Sequence, residues 1–100
     1  MKVKFRQSGG IAGQHEGCDL NASEMEAGEF RQLADLVRRC RMRESFESLS
    51  PDARDQLEYM IEIDDEDGSR RLVFDELNVP ESCEKLLDFL RKRSKWVPLD

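Results

Sequence analysis

Residues 56–76 read QLEYMIEIDDEDGSRRLVFDE, and this stretch decides the fold class. Leu57, Tyr59, Ile61 and Ile63 alternate with Glu58, Met60 and Glu62, the period of two that marks a strand with one buried face. The acidic run up to Gly68 reads as a turn in which glycine supplies the left-handed residue. RRLVFDE then returns as a second strand with Leu72 and Phe74 inward. The four acids before Gly68 lack the loop spacing of a calcium hand, so a solvated hairpin tip is expected.

On the C-terminal side, VPESCEKLLDFLRKRSK (79–95) has helical spacing, with Pro80 at a suitable first position. Cys83, Leu86, Leu87 and Leu90 form its apolar stripe, and the basic residues of its last turns suit the helix dipole. In the tail WVPLD, Trp96 and Leu99 are expected to fold back on the sheet or helix. On the N-terminal side, RMRESFESLSPDARD (41–55) shows no sustained period and reads as a long connection, with Phe46 or Leu49 pinning it to the core. Loops of this length are often functional, and the alternative is a tolerated insertion.

NASEMEAGEFRQLADLVRRC (21–40) is the clearest helix. Ser23 and Glu26 fit a capping box. Phe30, Leu33, Val37 and Cys40 make the stripe, Ala34 widens it, and Glu29, Gln32, Arg38 and Arg39 form a solvated face. Before it, KVKFRQS (2–8) alternates Val3 and Phe5 with Lys2, Lys4 and Arg6. QHEGCDL (14–20) is a weaker strand with Cys18 and Leu20 inward, and SGGIAG (8–13) joins the two as a hairpin connection. The expected order is β-β-α-β-β-α: an α+β fold in which a four-stranded sheet carries two helices on one face, within one domain over residues 1–100.

Composition narrows the function classes. Apolar and charged residues each make up 38% of the chain, the balance of a small folded domain with a charged surface. A formal net charge of −6 disfavours nucleic acid, because such binders gain affinity by neutralising phosphates. No apolar run reaches the length of a membrane span and no secretory leader is visible, so a cytoplasmic location is expected, with export by another route left open. Cys18, Cys40 and Cys83 are few, odd in number and widely spaced, which predicts buried thiols rather than a disulfide framework or a zinc site. The single histidine, His15, lies three residues from Cys18 and would point to the opposite face of a strand. No catalytic pair, metal site or cofactor is expected. The glycine loop also lacks the Lys-Ser/Thr ending and the following helix of a phosphate cradle.

What remains is the loop itself. Gly9, Gly10 and Gly13 remove bulk so that a partner could close on the backbone, and Ile11 would be an apolar anchor beside Ala12. Equally, Ile11 could pack on a neighbouring loop. The residues leave both readings open.

The chain resembles the emfourin family, inhibitors of protealysin and other thermolysin-like zinc metallopeptidases. The resemblance rests on VKFRQSGGIAG (3–13), where the family has Ser-Gly-Gly-Phe-Ala-Gly. EFRQLADLVRRC, LEYMIEI, RRLVFDE and PESCEKLLDFLRKR support it in order and pattern. It implies a non-enzymatic inhibitor whose Ser8, Gly9, Gly10, Ile11, Ala12 and Gly13 enter a protease cleft, with Ile11 in the pocket just after the scissile bond; a monomer is expected. Ile11 stands where the family has an aromatic residue. The alternatives are an intracellular interaction module whose loop is structural, and a thiol enzyme on Cys18 or Cys40, which needs a lowered thiol pKa. If the second and third strands lie adjacent and parallel, about sixteen helical residues would return the chain over the roughly 24 Å of a seven-residue strand. Segments 41–55 and 76–80 would then flank the loop.

Overall fold

The computed structural model describes residues 1–9, 15–51 and 56–97. Strands β1 (Lys2–Gly9) and β2 (Glu16–Asn21) lead to helix α1 (Ala27–Cys40). There follow β3 (Phe46–Ser48), β4 (Leu57–Asp65), β5 (Gly68–Asp75), helix α2 (Glu84–Lys92) and β6 (Lys95–Trp96). The strands form one sheet in the order β3-β5-β4-β1-β2-β6, with only the β3–β5 pair parallel.

The sheet therefore has six strands, not four. The two unexpected strands are three and two residues long. A period of two has no room to show in so few residues, and their pairing depends on free edges offered by β5 and β2. The middle strands are also not adjacent: β1 lies between β2 and β4 and is antiparallel to both. Nor does α1 return the chain to the glycine-loop end. The carbonyl of Met42, just past α1, accepts from Arg70 Nε at 2.6 Å, near the β4–β5 turn. It is β3, parallel to β5, that carries the chain back.

The alternating residues of the central strands form one wall of the core. Val3, Phe5, Tyr59, Ile61, Ile63, Leu72 and Phe74 are all buried on the face that meets the helices. Helix α1 contributes Leu33, Leu36, Val37 and Cys40, and α2 contributes Leu86, Leu87, Phe89 and Leu90. Leu36 and Phe89 join the expected stripes, whereas Phe30 and Ala34 are only half-buried. Gly68 takes φ +111° in the β4–β5 turn, the left-handed role its place implied.

The capping box does not form. Helix α1 starts at Ala27, and its N-cap Glu26 makes no side-chain capping bond. Asn21 claims Ser23 first: its Oδ1 accepts from Ser23 N at 3.1 Å and from Ser23 Oγ at 2.9 Å, closing a short 3-10 turn over Ala22–Glu24.

Nor are Cys40 and Cys83 free thiols; they are joined in a disulfide, their Cα atoms 4.5 Å apart. Forty-three residues separate them in sequence, so spacing carries no hint of the pair. The two helices run antiparallel, which brings the end of α1 to the start of α2. At the other end of the helix pair Arg93 Nη2 donates to Glu29 Oε2 at 3.1 Å, so Glu29 is tied across the helices rather than merely solvated.

Candidate functional site: the glycine-loop end of the sheet

Ser8 and Gly9 end β1, the strand between β2 and β4, and pair with Glu58 and Leu57. Gly10, Ile11, Ala12 and Gly13 lie outside the described residues. Gly9 has φ +92°, and a Cβ there would stand 2.5 Å from the backbone oxygen of Gln56. At this position glycine is required by the fold: both the backbone angle and the crossing of residue 56 exclude a side chain. From sequence, the glycines fit either the approach of a partner or a structural connection. For Gly9 the neighbour that needs the room belongs to the same chain.

The far leg of the loop is held from the opposite side. The carbonyl of His15 accepts from Val97 N at 2.9 Å, and Glu16 pairs with Trp96 of β6. Trp96 thus returns to the sheet through its backbone, yet the residue stays 69% exposed. Leu99 lies outside the described residues.

A third segment meets this end through Asp75, which sequence reasoning missed. Asp75 closes β5 with 1% exposure. Its carboxylate accepts from the backbone N–H of Ser50, from Leu77 N at 2.9 Å and from Asn78 Nδ2 at 2.7 Å. The same Asn78 amide reaches Ser50 Oγ at 2.8 Å. These donors, the Ser50 amide foremost, hold the Asp75 carboxyl below the ordinary aspartate range. Glu76 N donates to Leu57 O at 3.0 Å, which fixes the turn beside the residue that pairs with Gly9. The sequence signal was FDELN: an aspartate ending an apolar strand can accept from the amide two residues on. Of the two segments expected to flank the loop, residues 49–50 reach its end by way of β3 and residues 76–78 by way of β5, while residues 52–55 lie outside the described residues.

Leu49, Leu77 and Trp96 are the large hydrophobic side chains exposed among the described residues, and all three stand at this end. The residues considered for catalysis do not assemble. Cys18 is half-buried with Sγ 3.6 Å from Leu90 O, and burial pushes its thiol up, the reverse of what a thiol enzyme needs. Cys40 is occupied by its disulfide. No group of three His, Cys, Asp or Glu able to hold a metal occurs among the described residues. No helix of the described residues is long and apolar enough to cross a membrane.

The emfourin family model matches residues 5–91, from the middle of β1 almost to the end of α2. The chain belongs to the emfourin family. An emfourin is a metallopeptidase inhibitor at the level of the family, which agrees with a protein that binds a peptidase and is not itself an enzyme. The match takes in the whole SGGIAG segment, the second half of β1 and all of β2. Comparison with curated proteins and with solved structures returns no match for this emfourin.

Proposed function

We propose that this emfourin inhibits thermolysin-like zinc metallopeptidases of the protealysin type by laying Ser8–Gly13 in the active-site cleft. Family membership is the observation that carries the reading. The anchoring of the loop supports it. Gly9 is pinned against Gln56, and His15 is pinned against Val97, so both legs are ordered before a partner arrives. Pre-ordering reduces the entropy lost on binding. In this reading Gly9 and Gly10 cross near the zinc of the peptidase and Ile11 fills its apolar pocket. The inhibitor acts as a monomer, in the cytoplasm, and contributes no metal or cofactor of its own.

The test replaces Ile11 by Asp and measures the inhibition constant against a thermolysin-like peptidase, with a serine protease as control. Loss of inhibition of the zinc enzyme alone is expected, and an unchanged constant would sink the proposal. A wild-type protein that inhibits no metallopeptidase would favour the interaction module whose loop is structural.

A further inference from the structure

Leu77 is 68% exposed, yet it is fixed in place. Its N–H is bound by the buried carboxylate of Asp75, and the residues on both sides are tied as well: Glu76 N to Leu57 O at 3.0 Å, and Asn78 Nδ2 to Asp75. The same carboxylate takes the Ser50 amide and so brings Leu49, 39% exposed, to the same turn. A surface leucine ordinarily sits on backbone that costs nothing to hold. Here the carboxylate of Asp75, 1% exposed, closes the turn on which the exposed Leu77 sits.

The position of this shoulder narrows its use. Leu57 pairs with Gly9, and β5 lies next to β4, so Leu77 stands two strand spacings from the leg of the glycine loop. At about 4.8 Å per spacing that is roughly 10 Å, less than the reach of an ordinary protein interface. A cleft that closes on Ser8–Gly13 therefore brings its rim over Leu77. Glu58 and Glu76 are exposed around it, which favours a rim that is apolar at its centre and basic at its border.

Resting on the inhibitor reading above, we infer that Leu77, with Leu49 beside it, is a second anchor that docks on an apolar recess at the rim of the same metallopeptidase cleft, and that Asp75 is the positioning residue that holds it there. The loop supplies the contact inside the cleft and the shoulder sets the angle at which it enters. Asp75 touches no partner; it acts through Leu77 and Ser50.

The experiment measures inhibition of a thermolysin-like metallopeptidase by the wild type, Ile11→Asp, Leu77→Asp, Asp75→Asn and the Leu77→Asp/Asp75→Asn double variant, with a melting curve for each. Leu77→Asp is expected to raise the inhibition constant about tenfold or more while leaving the melting midpoint in place, as for a central anchor. Asp75→Asn is expected to weaken inhibition in the wild-type background and to add clearly less in the Leu77→Asp background, where only Leu49 is left for it to position, the signature of coupled residues. A purely structural Asp75 would weaken both backgrounds alike. If Leu77→Asp inhibits like wild type while Ile11→Asp does not, the second anchor is overturned and the loop reading stands. If Leu77→Asp weakens inhibition and Ile11→Asp leaves it unchanged, the shoulder stands and the loop reading falls. A wild type without inhibition overturns both.

Discussion

Strand β5 carries a buried charge at each end, and the two are satisfied in opposite ways. Near the β4–β5 turn, Arg70 is 6% exposed and meets a counter-charge: its Nη1 donates to Asp65 Oδ1 at 2.8 Å and its Nε to the Met42 carbonyl. At the other end Asp75 has no cation among its donors, which are two backbone amides and an asparagine amide. The first arrangement closes the sheet with charge against charge and fixes the chain just past α1. The second gathers segments 49–50 and 76–78 around the strand end beside Gly9. It also leaves leucines facing water. A buried ion pair is a fastening, whereas a carboxylate fed by backbone amides shapes the loops that supply them.

That contrast can be broken at either end. The largest effect is expected from Arg70→Ala, which leaves Asp65 half of a buried pair and removes the bond to Met42. Cutting such a pair on one side costs about 3–5 kcal/mol. Urea unfolding should show this loss, while the folded variant still inhibits with wild-type affinity because the loop end is intact. Weaker inhibition by the folded variant would mean that the two ends are coupled.

Next in size is the disulfide that ties the end of α1 to the start of α2. Closing a 43-residue separation restricts the unfolded chain, and such bonds typically contribute about 2–4 kcal/mol. Reduction should lower the melting midpoint without changing which end of the sheet binds. Thiol titration under denaturing conditions checks the bond directly: one reactive cysteine where it is formed, three where it is not. Disulfides persist in oxidising compartments and are rare in the cytosol. The count in protein recovered from the cytoplasm therefore also tests the proposed location.

The smallest effect sharpens the comparison by pH. Both carboxyls lie below the ordinary aspartate value: Asp65 chiefly through its hydrogen bond from Arg70, Asp75 chiefly through the Ser50 amide. A depressed native pKa means that the unfolded chain binds protons first. The contribution is complete above the unfolded value of about 3.9 and is lost as pH falls through the native values below it. Stability measured from neutral pH down into that window should fall in two separable parts. Arg70→Ala should remove the Asp65 part and leave the Asp75 part, and Asp75→Asn the reverse. An unchanged acid limb in Asp75→Asn would show that its carboxylate is not the group held by these amides.

Much of the fold was legible because the long elements repeat their signal. Leu57–Ile63 and Leu72–Phe74 alternate over enough residues for their buried faces to be read directly. Leu33, Val37 and Cys40, and Leu86, Leu87 and Leu90, repeat at helical spacing. The misreadings fall where the signal is short or contested. Strand β3 has three residues and β6 two, and Ser23 had a nearer acceptor in Asn21 than the capping geometry assumed. At the candidate site, the Ser8–Gly13 motif was visible as a motif. The partners of its legs were not, since Gln56 is 47 positions from Gly9 and Val97 is 82 positions from His15.

By itself, then, the sequence determined the α+β class, the inward residues of the long strands and helices, the left-handed glycine at 68 and the motif that marks the family. These depend on local propensity and on periods that run along the chain. Only the tertiary structure decided that β1 lies between β2 and β4, that Cys40 meets Cys83, that Gly9 must be glycine because residue 56 crosses it, and that Asp75 holds Leu77 beside the loop. Each of these joins residues far apart in the chain, and the physical reason is common to all four. Antiparallel packing and sheet order set such distances, and no local pattern encodes them.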